Sequence, residues 1–128
     1  MEHILSKKLV KPLPLFSHAT IFQNLIFTSC IQGFLAGESV PQEIDQEATQ
    51  MFKNLETLLL EAGSDLSCIL KLTMFFLDLE RDFLPVNKIF NQFFNDKPPA
   101  RSSIGVSMLP RGCKVVVECI AIKNQANN

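Results

Sequence analysis

The chain has 128 residues, 47% of them apolar, with twelve Lys and Arg against thirteen Asp and Glu for a net charge of −1. Such a length supports one domain, over residues 1–128, with a sizeable core, and eleven Phe in an apolar background exclude a disordered chain. The interspersed charge argues against a nucleic-acid ligand, which needs a basic face, and no apolar run reaches the ~18–20 residues that cross a bilayer.

The first stretch, "MEHILSKKLVKPLPLF", lacks a sustained apolar core and a small-residue cleavage site, so no secretory signal is read and a cytoplasmic location is expected. His3 is expected in a frayed end. Next, "ATIFQNLIFTSC" holds two β-rich runs around Gln23-Asn24, a hairpin signal. "GFLAGESVPQE" is a loop, and from Ile44 the period becomes helical. Ile44, Ala48, Met51, Leu55, Leu58 and Leu59 fall on one stripe, with Gly63 placed to stop the helix. A buried strand is read near Ile69–Leu77, then a second helix in "RDFLPVNKIFNQFFND" with Pro85 in its first turn. Phe83, Val86, Phe90, Phe93 and Phe94 share a face of that helix and read as core. Pro98-Pro99 ends it. Two strands close the chain, about Ser102–Met108 and Lys114–Ile122, joined by "LPRG". The order β-β-α-β-α-β-β predicts an α+β sandwich, with two helices on one face of a sheet.

The last strand, "CKVVVECIAI", is apolar on both faces. In so small a domain, such a strand implies that another subunit covers the second face. The four cysteines, Cys30, Cys68, Cys113 and Cys119, form no C-x-x-C pair and read as buried reduced thiols, not as a disulfide framework or a metal site.

Two residues stand out chemically. Glu118 lies inside the apolar last strand, where a carboxylate needs a partner, water or a raised pKa. It reads equally as half of an ordinary ion pair, as an edge residue, or as a catalytic carboxylate. Arg101 follows a rigid "PPA" and offers a planar fork that matches a carboxylate. Its partner is either Glu118, a surface acid, or a ligand. No Ser–His–Asp signature and no glycine-rich phosphate loop appears.

"NLIFTS", "AGSDLSCILKLTMFFLDL", "FLPVNKIFNQFF", "PPARSSIGVSMLPRG" and "VVVECIAI" follow one another as in the RidA/YjgF family of enamine/imine deaminases, which the chain resembles from about Lys8 to Lys123. The resemblance implies a chorismate-mutase-like fold and a homotrimer whose sheets form a central barrel, with clefts between subunits. It implies hydrolysis of 2-iminopropanoate and 2-iminobutanoate to 2-keto acids and ammonia, with no metal or cofactor. By the same resemblance Arg101 holds the substrate carboxylate and Glu118 serves the attacking water. Ser29, Asn87 and Ser103 match pocket positions.

The departures lie across that cleft. The family's "GPYSQA" reads "PLFSHA", so its glycine is Pro14, its tyrosine Phe16 and its glutamine His18; the chain contains no tyrosine. Its "TSGQ" reads "TSCI", which puts Cys30 and Ile31 in substrate-binding positions. Cys30 there is also a candidate for oxidation, and His18 a candidate replacement for a lost polar group. Three functions follow as expectations: an imine deaminase first, then a non-catalytic, chaperone-like trimer that binds small carboxylates, and last a ribonuclease or translation inhibitor, for which the charge is wrong.

Overall fold

The computed structural model describes residues 1–12 and 15–124. Pro14 therefore lies outside the described residues. Six strands and two long helices follow in the order β1 (Glu2–Ile4), β2 (Ala19–Phe22), β3 (Leu25–Thr28), α1 (Ile44–Glu61), β4 (Ile69–Phe76), α2 (Leu79–Phe93), β5 (Ala100–Gly105) and β6 (Val115–Ile122). The strands make one sheet in the order β1-β2-β3-β6-β4-β5. All neighbours are antiparallel except β4 and β5, which α2 joins as a parallel crossover.

Local chemistry explains the boundaries. The β2–β3 turn is the two residues Gln23-Asn24, with Gln23 in the left-handed region at φ 57°. Helix α1 ends in a Schellman closure: the Gly63 N–H donates to the Leu60 carbonyl at 3.2 Å and the Ser64 N–H to Leu59 at 2.8 Å, with Gly63 at φ 81°. Helix α2 starts two residues earlier than its apolar pattern suggests, because the Asp78 carboxylate accepts from the Arg81 N–H at 3.0 Å and caps it. Pro85 thus sits inside the helix and not in its first turn.

Both helices pack on one face of the sheet. Phe52 and Met51 of α1 and Val86 of α2 are fully buried against Leu72 and Met74 of β4 and Val115 and Val117 of β6. The ring of Phe52 meets those of Phe90, Phe93 and Phe94 at centroid distances of 5.3–5.9 Å. Phe83 departs from this face: it is part-exposed.

The second face is covered only in part. Phe34, Cys113 and Val116 form a small cluster at one end, with Phe75 against them. Elsewhere Phe27 is 42% exposed beside its cross-strand partner Ile120. No helix among the described residues is long and apolar enough to cross a membrane.

Three expectations need correction. His3 is not frayed; it pairs with Thr20 as β1 adds to the sheet edge. Strand β5 begins at Ala100 and ends at Gly105, not Met108, because the chain leaves β4 beyond Phe76. The four thiols are all free, but Cys30 is exposed and Cys68 half-buried, leaving only Cys113 and Cys119 in the interior.

Candidate active site

Arg101 is the second residue of β5, beside Leu72 of β4. Leu72 points into the helical core, so Arg101 points the same way and meets α2. Its guanidinium stacks 4.4 Å from the centroid of the buried Phe90 ring and 5.5 Å from that of Phe83. Nη1 donates to Asn87 Oδ1 at 2.8 Å, and Nε approaches Ser103 Oγ at 3.4 Å. Every one of these neighbours is neutral. Ion pairs among the described residues join Arg81 to Asp78 and Asp82, and Lys114 to Glu47; none includes Arg101. Burial lowers the pKa of the Arg101 guanidinium, yet an arginine stays protonated. The result is a charge held by apolar and neutral groups with donors to spare.

Glu118 lies on the other side of the sheet. Thr73 of β4 pairs with Glu118 on one flank and Ser102 on the other, and these three share the open face. Because Ser102 faces opposite to its neighbour Arg101, the arginine and the glutamate look away from each other. Glu118 borders a cavity of about 170 Å³ with Thr28, Lys71 and Thr73. Lys71 Nζ donates to Ser102 Oγ at 2.7 Å. The Arg101–Glu118 ion pair left open by the sequence is thus absent within one chain.

Cys30 reaches Glu118 Oε2 with its sulfur at 4.0 Å. Enclosure of the thiol and then the Glu118 charge push its pKa up to about 11. That environment disfavours the thiolate through which oxidation proceeds. Ser29 Oγ donates to the Ser17 carbonyl at 2.6 Å and lines a cavity of about 300 Å³ with Phe16, Ser17, His3 and Phe27. Ile31 lines a small cavity of about 20 Å³ with Cys30 and His18. Its backbone bridges Val117 in both directions, at 2.7 and 3.1 Å, and its side chain is buried in the core. His18 is also consumed: the Ser6 N–H donates to Nδ1 at 2.8 Å and Nε2 donates to the Val10 carbonyl at 2.7 Å.

The described residues therefore gather the candidates into two groups. Arg101, Asn87 and Ser103 stand with α2, while Glu118, Cys30, Ser29 and Phe16 stand on the opposite face of the sheet or at its end. The sequence reading missed Lys71, and it missed two buried polar residues of α1, one holding the start of β6 and one the segment after Ser29. Glu47, fully buried in α1, accepts from the Lys114 N–H and Nζ, both at 2.8 Å. Asn54 donates to the carbonyls of Gln32 and Phe34 at 2.8 and 3.1 Å. A signal for Glu47 existed: it lies three residues after Ile44 and four before Met51, within the apolar stripe.

Comparison with known proteins bears on the family and the fold. The model of the family described as endoribonuclease L-PSP matches residues 7–123. The chain is 34% identical over 122 residues to the chloroplastic Reactive Intermediate Deaminase A of Arabidopsis thaliana, covering 94% of this chain and 65% of that protein. It is 34% identical over 110 residues to the 2-iminobutanoate/2-iminopropanoate deaminase of Rattus norvegicus, covering 84% of this chain and 80% of the rat protein. Among solved structures, RidA from an Antarctic Psychrobacter superposes with a TM-score of 0.89 at 26% identity, over 95% of this chain and 99% of that one. Fold and neighbours together define a mixed α+β protein with a six-stranded sheet and two helices, matching RidA structures. The chain belongs to the RidA/YjgF family.

Proposed function

We propose that this chain is an imine deaminase, hydrolysing 2-iminopropanoate and 2-iminobutanoate to their 2-keto acids and ammonia as a homotrimer with its clefts between subunits. One observation carries the reading: Arg101 is a protonated guanidinium with no carboxylate of its own, on the face of the sheet opposite Glu118. One small molecule cannot touch both groups of a single chain. A second copy, laid over the part-exposed face around Phe27, brings Glu118 of one chain toward Arg101 of another. Three copies closing around these faces give the barrel that the two-sided β6 calls for.

In that cleft Arg101 binds the substrate carboxylate through a paired set of N–H donors. The iminium carbon is already electrophilic, so the main work is to hold a water beside it. Glu118 orients that water and accepts its proton as oxygen adds to C2. The proton then passes to nitrogen, the C–N bond breaks with its electron pair going to nitrogen, and Glu118 takes the hydroxyl proton as the carbonyl forms and hands it to the leaving ammonia. Water and iminium give keto acid and ammonium, and no redox partner enters.

The test generates 2-iminopropanoate with an amino-acid oxidase and follows its decay. The protein is expected to accelerate decay, and Arg101→Ala and Glu118→Gln each to abolish the effect. Mixing those two inactive variants and reassembling them should restore activity in roughly a quarter of the clefts, since each cleft takes its two groups from different chains. Decay no faster than in buffer sinks the deaminase reading; no recovery on mixing sinks the shared cleft.

A second reading follows from Phe16, which offers no hydroxyl to the cleft. A trimer that binds small carboxylates without turnover would retain the Arg101 clamp, and pyruvate binding without imine decay would select it. The net charge of −1 supplies no basic face for the ribonuclease that the family description names.

A further inference from the structure

We infer that Asn87 is a positioning residue that acts through Arg101, and that its essential property is to be a hydrogen-bond acceptor without charge. The inference rests on the reading of Arg101 as a carboxylate clamp. A guanidinium has five N–H donors and no acceptor, so the contact at 2.8 Å fixes the Asn87 amide with its oxygen toward Nη1. That bond, with the approach of Nε to Ser103, engages two of the five donors and leaves three. The guanidinium carbon also lies 4.4 Å from the Phe90 ring centroid and 5.5 Å from that of Phe83, both on α2.

The choice of residue matters because Asp would have nearly the same shape. A carboxylate on α2 at this place would pair with the guanidinium itself and compete with the ligand for the remaining donors. Asn87 accepts one hydrogen bond, holds the plane, and leaves the positive charge uncompensated. Phe83, Phe90 and Ser103 follow the same rule. All four neighbours orient the group and none neutralises it, which keeps the fork available to a carboxylate from outside the chain.

The experiment uses three single variants of the full chain, Asn87→Asp, Asn87→Ala and Arg101→Ala, and the double variant Asn87→Asp with Arg101→Ala. The probes are pyruvate and benzoate, which share only the carboxylate, titrated by calorimetry. Asn87→Asp is expected to lower affinity for both by about a hundredfold, and Asn87→Ala by about tenfold, as expected for a hydrogen bond to a charged group. The loss should be equal for the two probes. Without ligand, Asn87→Asp should raise the melting temperature in the wild-type background and not in the Arg101→Ala background. A merely structural amide would not give that dependence on Arg101.

Wild-type affinity in Asn87→Asp overturns the inference. So does a loss in Asn87→Ala confined to pyruvate, which would place the amide on the 2-oxo group. A wild-type protein that binds neither probe overturns it too. The predicted order of affinities with no imine turnover leaves the inference standing and removes only the deaminase reading.

Discussion

A thiol reacts through its thiolate, and Cys30, Cys113 and Cys119 resist ionisation. With the pKa of Cys30 raised to about 11, alkylation by iodoacetamide near neutral pH should be slow and quicken by about tenfold per pH unit toward that value. Fast labelling at neutral pH would contradict a thiol held protonated beside Glu118. Cys119, buried in β6, is raised from 9.0 to about 12, chiefly by burial. Its folded pKa exceeds its unfolded one, so the unfolded chain loses the proton first. Stability from this group is complete below pH 9 and declines as the pH rises toward about 12. Urea midpoints measured from neutral to alkaline pH should fall only above about pH 9; a flat alkaline profile would count against it. Glu118 was legible at this scale because a charge inside an apolar run needs an explanation, and Arg101 because a rigid "PPA" sets a planar fork of donors at the mouth of a strand. Whether they explained each other was not legible, because sidedness depends on strand register.

Among the elements, α1 and β6 lay close to their expected bounds, since a long periodic stripe and an uninterrupted apolar run are strong patterns. The start of α2 needed the Asp78 cap, a single hydrogen bond that apolar periodicity does not carry. Strand β1 needed partners across fourteen residues of intervening chain, and three residues have too little pattern to announce themselves. The segment after Ser29 is held by long-range polar contacts from α1, again beyond local reading. Gly33 shows how closely they approach: a Cβ there would stand 2.1 Å from the Glu47 carbonyl oxygen. Gly33→Ala should therefore cost about 1–3 kcal/mol by overpacking, read as a lower urea midpoint with an unchanged slope. A neutral result would show that the α1 contact yields freely.

For the whole molecule, the informative feature was visible early as a strand apolar on both sides. What covers its second face could not be read from one chain's pattern, since the pattern marks a surface and not its occupant. If copies of the chain cover it, the sedimenting species has three times the 14.4 kDa chain mass. Phe27→Asp, at the part-exposed centre of that face, should shift the mass to that of one chain and remove imine hydrolysis with it. A monomeric variant that still turns over imines would separate activity from assembly.

The placement of Arg101 and Glu118 on opposite faces also has a genetic side. If each cleft takes its two groups from different copies, as proposed, a cell carrying two damaged alleles, one altered at each position, would still assemble some sound clefts by mixing their products. Such alleles should complement in a diploid, whereas two lesions at the same position should not. Selection would then see these two residues as separable functions of one gene, and a carrier of one defective copy would keep half of its clefts whether or not the two products mix.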